Sequence, residues 1–140
     1  MNTVPKEKKV KVVLDTNIII SGLIFQGKQR QVLNLFYKGS ITVCISSPIL
    51  KELSGVLYKK FNWDRKRIHN IIVKIGNKAI LVNPREKISA VKEDADNRIL
   101  ECALESHCQF ILSGDKKHLL PLKQYKGIRI LSTAEFLKII

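Results

Sequence analysis

Apolar residues along this chain come in short runs that switch between two spacings, and the switching spells out alternating strands and helices. Val10 to Leu14 is a valine-rich run that stops abruptly at Asp15-Thr16-Asn17, the pattern of a strand buried on both faces. Ile41 to Ile45, Ala79 to Val82, Gln109 to Leu112 and Ile128 to Leu131 read as further strands. Between them, Ile18 to Ile20 opens a short helix, and Gln29 to Tyr37 is a second helical stretch closed by Gly39. Ser47-Pro48 predicts a helix start running to about Lys60, because a serine hydroxyl accepts a free backbone N–H and proline in the first turn gives up no bond. Asp64 to Ile75 carries Ile68, Ile71, Ile72 and Ile75 at i, i+3, i+4 and i+7, with Arg65, Lys66 and Arg67 on its polar side. Pro84 to Lys92 is a polar connection before a helix from Asp94 to Ser106, and a last helix spans Ser132 to Ile140.

This alternation predicts an α/β fold: a three-layer α/β/α sandwich around a central, mostly parallel sheet, with ligands bound beyond the carboxyl ends of the strands. The 140 residues are expected to form one domain, 1–140, with residues 1–9 a flexible basic tail. No repeat, low-complexity segment or linker interrupts the pattern.

Charge narrows the partner. Twenty-five Lys and Arg against twelve Asp and Glu give a net charge of +13, which points to a polyanion and favours nucleic acid. No apolar run approaches the roughly 18 residues of a membrane span, and the basic start lacks a secretory apolar stretch, so a cytoplasmic protein with no membrane partner is expected. Cys44, Cys102 and Cys108 show no CxxC spacing and read as buried or inert thiols. His69, His107 and His118 fall at no metal-ligand spacing and read as scattered surface or boundary residues, which argues against zinc.

In so basic a chain, the acids at strand ends or on apolar helix faces stand out. Asp15 follows Val12-Val13-Leu14 directly and is either a helix cap or a site residue at the sheet edge, with Thr16 and Asn17 placed to orient it. Glu52 sits at the margin of the stripe formed by Ile49, Leu50, Leu53, Val56 and Leu57; a solvated or ion-paired role is its plain alternative. Asp96 shares its helix face with Ile99, Leu100, Ala103 and Leu104. Burying it unpaired costs several kcal/mol, so it calls for a donor or a cation, unless it caps the helix. Glu93 and Asp94 read as solvated acids at that helix's start. Asp115 follows a strand through the turn Ser113-Gly114, and the four acids together could converge on one sheet edge. Oxygen-only ligands of this kind favour Mg²⁺ or Mn²⁺.

Val12-Val13-Leu14-Asp15-Thr16-Asn17 with Ile18-Ile19-Ile20-Ser21-Gly22, then Ser47-Pro48 with Glu52, Asp94-Ala95-Asp96-Asn97, and Ser113-Gly114-Asp115 together resemble the PIN-domain nucleases, most closely the VapC-like toxin components of toxin-antitoxin systems. The resemblance runs from Val10 to about Leu137. It implies metal-dependent phosphodiester cleavage of RNA, with Asp15, Glu52, Asp96 and Asp115 as catalytic and metal-holding acids and Ser113 as the small hydroxyl residue before the last one. An antitoxin protein is the partner it implies, and a homo-oligomer is a further assembly it allows. Glu93-Asp94-Ala95 departs from the more acidic run of relatives, and the basic start Lys6-Glu7-Lys8-Lys9 has no assigned counterpart. Arg65, Lys66 and Arg67, beside Lys59 and Lys60, and Lys116 and Lys117 beside Asp115, are the expected holders of the phosphate backbone. Tyr58 and Trp63 are either base-stacking or packing residues. A non-catalytic RNA-binding or interaction module with the same fold is the alternative function. A phosphotransfer receiver domain fits less well, since paired acids soon after the first strand are missing.

Overall fold

Val12 and Val13, fully buried, lie in the strand from which the rest of the sheet is laid out, and this accounts for the unbroken valine run. A computed structural model describes residues 9–140, so all but Lys9 of the expected basic tail lies outside the described residues. In chain order the elements are β1 (Lys11–Leu14), α1 (Thr16–Ile24), α2 (Lys28–Tyr37), β2 (Thr42–Ser46), α3 (Ser47–Lys59), α4 (Arg65–Lys78), β3 (Ile80–Val82), α5 (Asp94–Ser106), β4 (Phe110–Leu112), a 3-10 turn (Leu120–Leu122), β5 (Gln124–Tyr125), β6 (Ile128–Leu131) and α6 (Thr133–Ile139). The sheet order is β3-β2-β1-β4-β6-β5, parallel throughout except for the antiparallel β5. Because the chain steps outward from β1 in both directions, right-handed crossovers distribute the helices over both faces and give the α/β sandwich.

The elements follow the periodicities closely, with two differences. Strand β2 runs straight into α3, so the capping position is Ser46 rather than Ser47, and the buried Ser46 hydroxyl makes no capping bond. The pair Gln124–Tyr125 and the 3-10 turn were not foreseen, because elements of two or three residues are too short for a hydrophobic period to register.

Two local arrangements position the site. Helix α5 holds the preceding loop along its length: Asn97 bonds both backbone groups of Val91 (2.8 and 3.0 Å), Glu101 accepts the Ile88 N–H (2.8 Å) and Glu105 accepts the Arg85 N–H (2.9 Å). Spaced four residues apart, these side chains form one row on the helix. Arg98 pairs with the buried Glu101 at 2.8 Å and donates to the Ile88 carbonyl, so the buried carboxylate is compensated. At the other arrangement, Arg30 of α2 donates to the Gly22 and Leu23 carbonyls at the end of α1 (3.0 and 3.1 Å), satisfying groups that a helix end leaves free.

Gly22 lies where α1 meets α2. A Cβ there would stand 2.7 Å from Leu33 Cδ1 and 2.9 Å from the Gln29 carbonyl oxygen, and the latter is backbone. Gly22→Ala is therefore expected to lose about 1–2 kcal/mol net, overpacking outweighing the gain in helix propensity. Chemical denaturation checks this, and an unchanged or raised midpoint would show that the helix crossing has slack.

Candidate active site

Strand order turns back at β1: the chain leaves it toward β2 on one side, while β4 pairs on the other, and the loops beyond the two strand ends diverge to leave a crevice. Asp15 is the first residue past β1, and its N–H continues the ladder to the Leu112 carbonyl of β4 (2.9 Å). Its carboxylate does two things at once. Oδ1 accepts the Asn17 N–H (2.7 Å), capping α1, and Oδ2 accepts the hydroxyl of Ser113 (2.7 Å). Capping and a place in the crevice are thus compatible for this residue.

Ser113 is fully buried at the end of β4, and its hydroxyl oxygen also accepts the Asp115 N–H (2.9 Å). Asp115 in turn accepts the N–H groups of Lys117 and His118 at Oδ1 (2.9 and 3.2 Å). That leaves Oδ2 beside the His118 ring, 3.2 Å from Nδ1. Asp96 Oδ2 stands 3.6 Å from the same nitrogen. Glu93, not Asp96, occupies the capping position of α5, and Asp96 lies in the first turn, where the helix dipole favours negative charge.

The acids perturb one another. Burial pushes the Asp96 carboxyl up to about 7, helped by a hydrogen bond shared with Asp115 and by the negative charge of Asp115, Asp15 and Glu93. Asp15 is raised chiefly by burial, against the hydrogen bonds from Ser113 and Asn17. Burial also works to raise Asp115, but its amide bonds from Lys117 and His118, the bond with Asp96 and the His118 ring outweigh it and leave the carboxyl below its ordinary value. Adjacent acids driven in opposite directions form a site that favours one added positive charge. Asp96, Asp115 and His118 offer donor atoms all within 4.8 Å of one another, so the donor set fits a divalent cation.

Asp15, Glu52, Asp96 and Asp115 all line one cavity of about 400 Å³, Glu52 reaching it from α3. Thr16 and Asn17 line it too, with Asn17 bonding Asp15 through its backbone N–H. Two residues read from the sequence as uninvolved also belong here. Glu93 lines the cavity, and His118 sits among the acids, contrary to its expected place as a scattered histidine. Its signal was the Asp-x-x-His spacing from Asp115, legible only once that turn is known to face the cleft.

The expected phosphate-holding residues are divided. Lys116 and Lys117 are exposed on the turn after Asp115. Arg65, Lys66 and Arg67 begin α4 and do not line the acidic cavity: Arg65 lies over the Tyr58 ring (5.8 Å) beside a separate groove between α3 and α4, and Arg67 stacks on Trp63 at 3.6 Å. Trp63 is half-buried beneath that stack, whereas Tyr58 is half-exposed.

A mostly parallel sheet with carboxylates gathered where its strand order turns back defines a class of small α/β proteins with an acidic cleft. Within that class the chain belongs to the PIN domain family, whose model matches residues 11–117. It is 31% identical over 127 residues to the uncharacterized protein MJ1680 of Methanocaldococcus jannaschii, covering 87% of this chain and 81% of that one. Its fold is similar to a chain of VapBC2 from Rickettsia felis, crystallised bound to a DNA fragment from their promoter (TM-score 0.59, 17% identity, 86% of this chain and 97% of that one). It is likewise similar to a chain of DNA-bound VapBC from Salmonella typhimurium (TM-score 0.59, 18% identity, 89% and 98%). Among the described residues, no helix is long and apolar enough to cross a membrane.

The raised Asp96 carboxyl has a consequence for the metal-free protein. Between the ordinary value of 3.8 and about 7 the folded state holds a proton that the unfolded state has released, so stability falls as pH rises through that window. With chelator present, Asp96→Asn is expected to melt about 3–4 °C above wild type at pH 8, a shift matching about 1 kcal/mol in a domain of this size. The gap should close by pH 4. Thermal melts at both values check this, and equal melting at pH 8 would show that burial and the neighbouring acids do not penalise the Asp96 carboxylate.

Proposed function

We propose that the chain is a metal-dependent endoribonuclease that hydrolyses RNA phosphodiester bonds in the cytoplasm and acts as the toxin of a toxin-antitoxin pair. The observation that carries the catalytic part is the cleft that four carboxylates line, in which Asp96 is driven up to about 7 by burial and by its neighbours. Membership of the PIN domain family supports it, as does a basic chain suited to a polyanionic substrate. The fold shared with VapBC chains supports an antitoxin partner.

In this reading Asp15, Asp96 and Asp115, with Glu52 lining the same cleft, would hold Mg²⁺ or Mn²⁺. The bound cation supplies positive charge to offset the negative charge that builds on a phosphodiester in the transition state. Ser113 fixes the Asp15 carboxylate through its hydroxyl, and the Asn17 N–H fixes the other oxygen, so neither group reorganises during the reaction. The Glu52 carboxylate, which lines the same cleft from α3, orients the attacking water and takes up its proton. Lys116 and Lys117, on the turn that carries Asp115, hold the backbone of the RNA next to the acids; Arg65, Lys66 and Arg67 hold it farther along.

Incubation of the purified protein with RNA is expected to give cleavage with Mg²⁺ or Mn²⁺ and none with excess EDTA. Asp15→Asn should lower the rate by about 100-fold or more while leaving RNA binding intact or tighter. A folded Asp15→Asn protein that cuts at the wild-type rate would remove the acids from the mechanism. An RNA-binding wild type that never cuts with either ion would favour a non-catalytic module.

Replacing Arg65, Lys66 and Arg67 together with Gln should weaken RNA binding and flatten its dependence on salt by about 2–3 in log–log slope, since each neutralised phosphate releases counterions. Anisotropy titrations over a range of salt check this. An unchanged slope would confine the RNA path to Lys116 and Lys117.

A further inference from the structure

We propose that His118 is a nitrogen ligand to the cation in the acidic cleft and biases the site toward a first-row transition-metal ion over Mg²⁺. The proposal rests on the reading of the cleft as a cation site and adds a ligand to it that is not an acid.

The geometry carries it. His118 Nδ1 stands 3.2 Å from Asp115 Oδ2 and 3.6 Å from Asp96 Oδ2. Donor atoms that share one ion through bonds of about 2.1–2.2 Å lie about 3 Å apart when adjacent, so the two spacings suit a common ion with little movement. The other Asp115 oxygen is already engaged by the N–H groups of Lys117 and His118. The turn that anchors the carboxylate therefore also sets the ring, and the free oxygen and the ring nitrogen are presented together. A ring that served only to hydrogen-bond Asp115 would have no need to lie against Asp96, which arrives on a different helix. The ring is about three-quarters covered, its side chain 26% exposed, and lines the same cavity as the acids.

Chemistry decides the preference. Mg²⁺ selects oxygen donors and keeps its waters, whereas an imidazole nitrogen is taken up by the first-row ions, least strongly by Mn²⁺ and more strongly by those after it. The other two histidines serve as internal controls, since His69 lies beside the α3–α4 groove and His107 near Glu105, both outside the acidic cleft.

The test uses Mn²⁺ and the full chain without RNA, so it does not depend on cleavage. Pulsed electron paramagnetic resonance of the Mn²⁺-loaded wild type is expected to show a nitrogen hyperfine coupling that changes frequency when the protein is labelled with ¹⁵N-histidine. His118→Gln should lose that coupling and bind Mn²⁺ about tenfold more weakly, with Mg²⁺ affinity changed less than about threefold. His118→Asn should behave alike, and the labelled wild type decides the matter should both variants misfold. Bound Mn²⁺ without histidine coupling would overturn the assignment of His118 while leaving the cation site standing, as would a coupling that survives in both folded variants. No Mn²⁺ binding at all would overturn both the ligand and the reading on which it rests.

Discussion

The parallel pairing of β1 with β4 is the constraint on which the cleft depends. It joins residues nearly a hundred positions apart, with Val12 opposite Phe110 and Leu14 opposite Leu112, and both strands end in an acid-bearing turn. The buried Ser113 hydroxyl completes the junction by donating to Asp15 and accepting from the Asp115 N–H. Each bond joins a strand end to a carboxylate or its backbone, so a small shift in register would separate Asp15 from Asp115. Burial strengthens these bonds, because a carboxylate withdrawn from water gains more from each donor and loses more when a donor is missing.

Charge in this protein is arranged against its average. A chain with a net charge of +13 nonetheless lines one cleft with five of its twelve acids, Asp15, Glu52, Glu93, Asp96 and Asp115. Among the described residues, no lysine or arginine pairs with the cleft acids, whereas the buried Glu101 on the same helix as Asp96 is paired with Arg98. The contrast separates two uses of buried charge: Glu101 ties down the loop before α5, and Asp96 is left with other acids and a histidine as its neighbours. By fastening residues 85, 88 and 91 to α5, that row of contacts also holds the chain leading into Glu93 at the rim of the cleft.

Aromatic residues divide in the same way. Trp63 packs under Arg67 and braces the start of α4, where Asp64 accepts the Arg67 N–H, so one arginine is held by backbone and ring together. Tyr58 keeps half of its surface in water beside Arg65. An arginine stacked on an aromatic ring still presents its charge to a phosphate, so these contacts order the basic patch without removing it from service.

The elements and their kind are legible in the order of residues, because strand and helix periods are local and the runs around Val12, Ile111 and Leu100 are long enough to show them. The sequence also marked Asp15, Asp96 and Asp115 as unusual, since an acid at the end of an apolar strand or on an apolar helix face is costly wherever the fold puts it. Which of these acids share a cleft depends on how distant segments pack. Strand order is set by contacts between distant segments, and no local spacing shows that β4 lies beside β1 or that α3 carries Glu52 to the same cleft. His118 was lost for the same reason: its partner Asp96 lies 22 positions away, and their approach exists only once α5 and the turn after β4 pack at the same sheet edge. The basic patch at Arg65 to Arg67 was legible as charge, but its distance from the acids depends on where α4 packs, which a helical period does not encode.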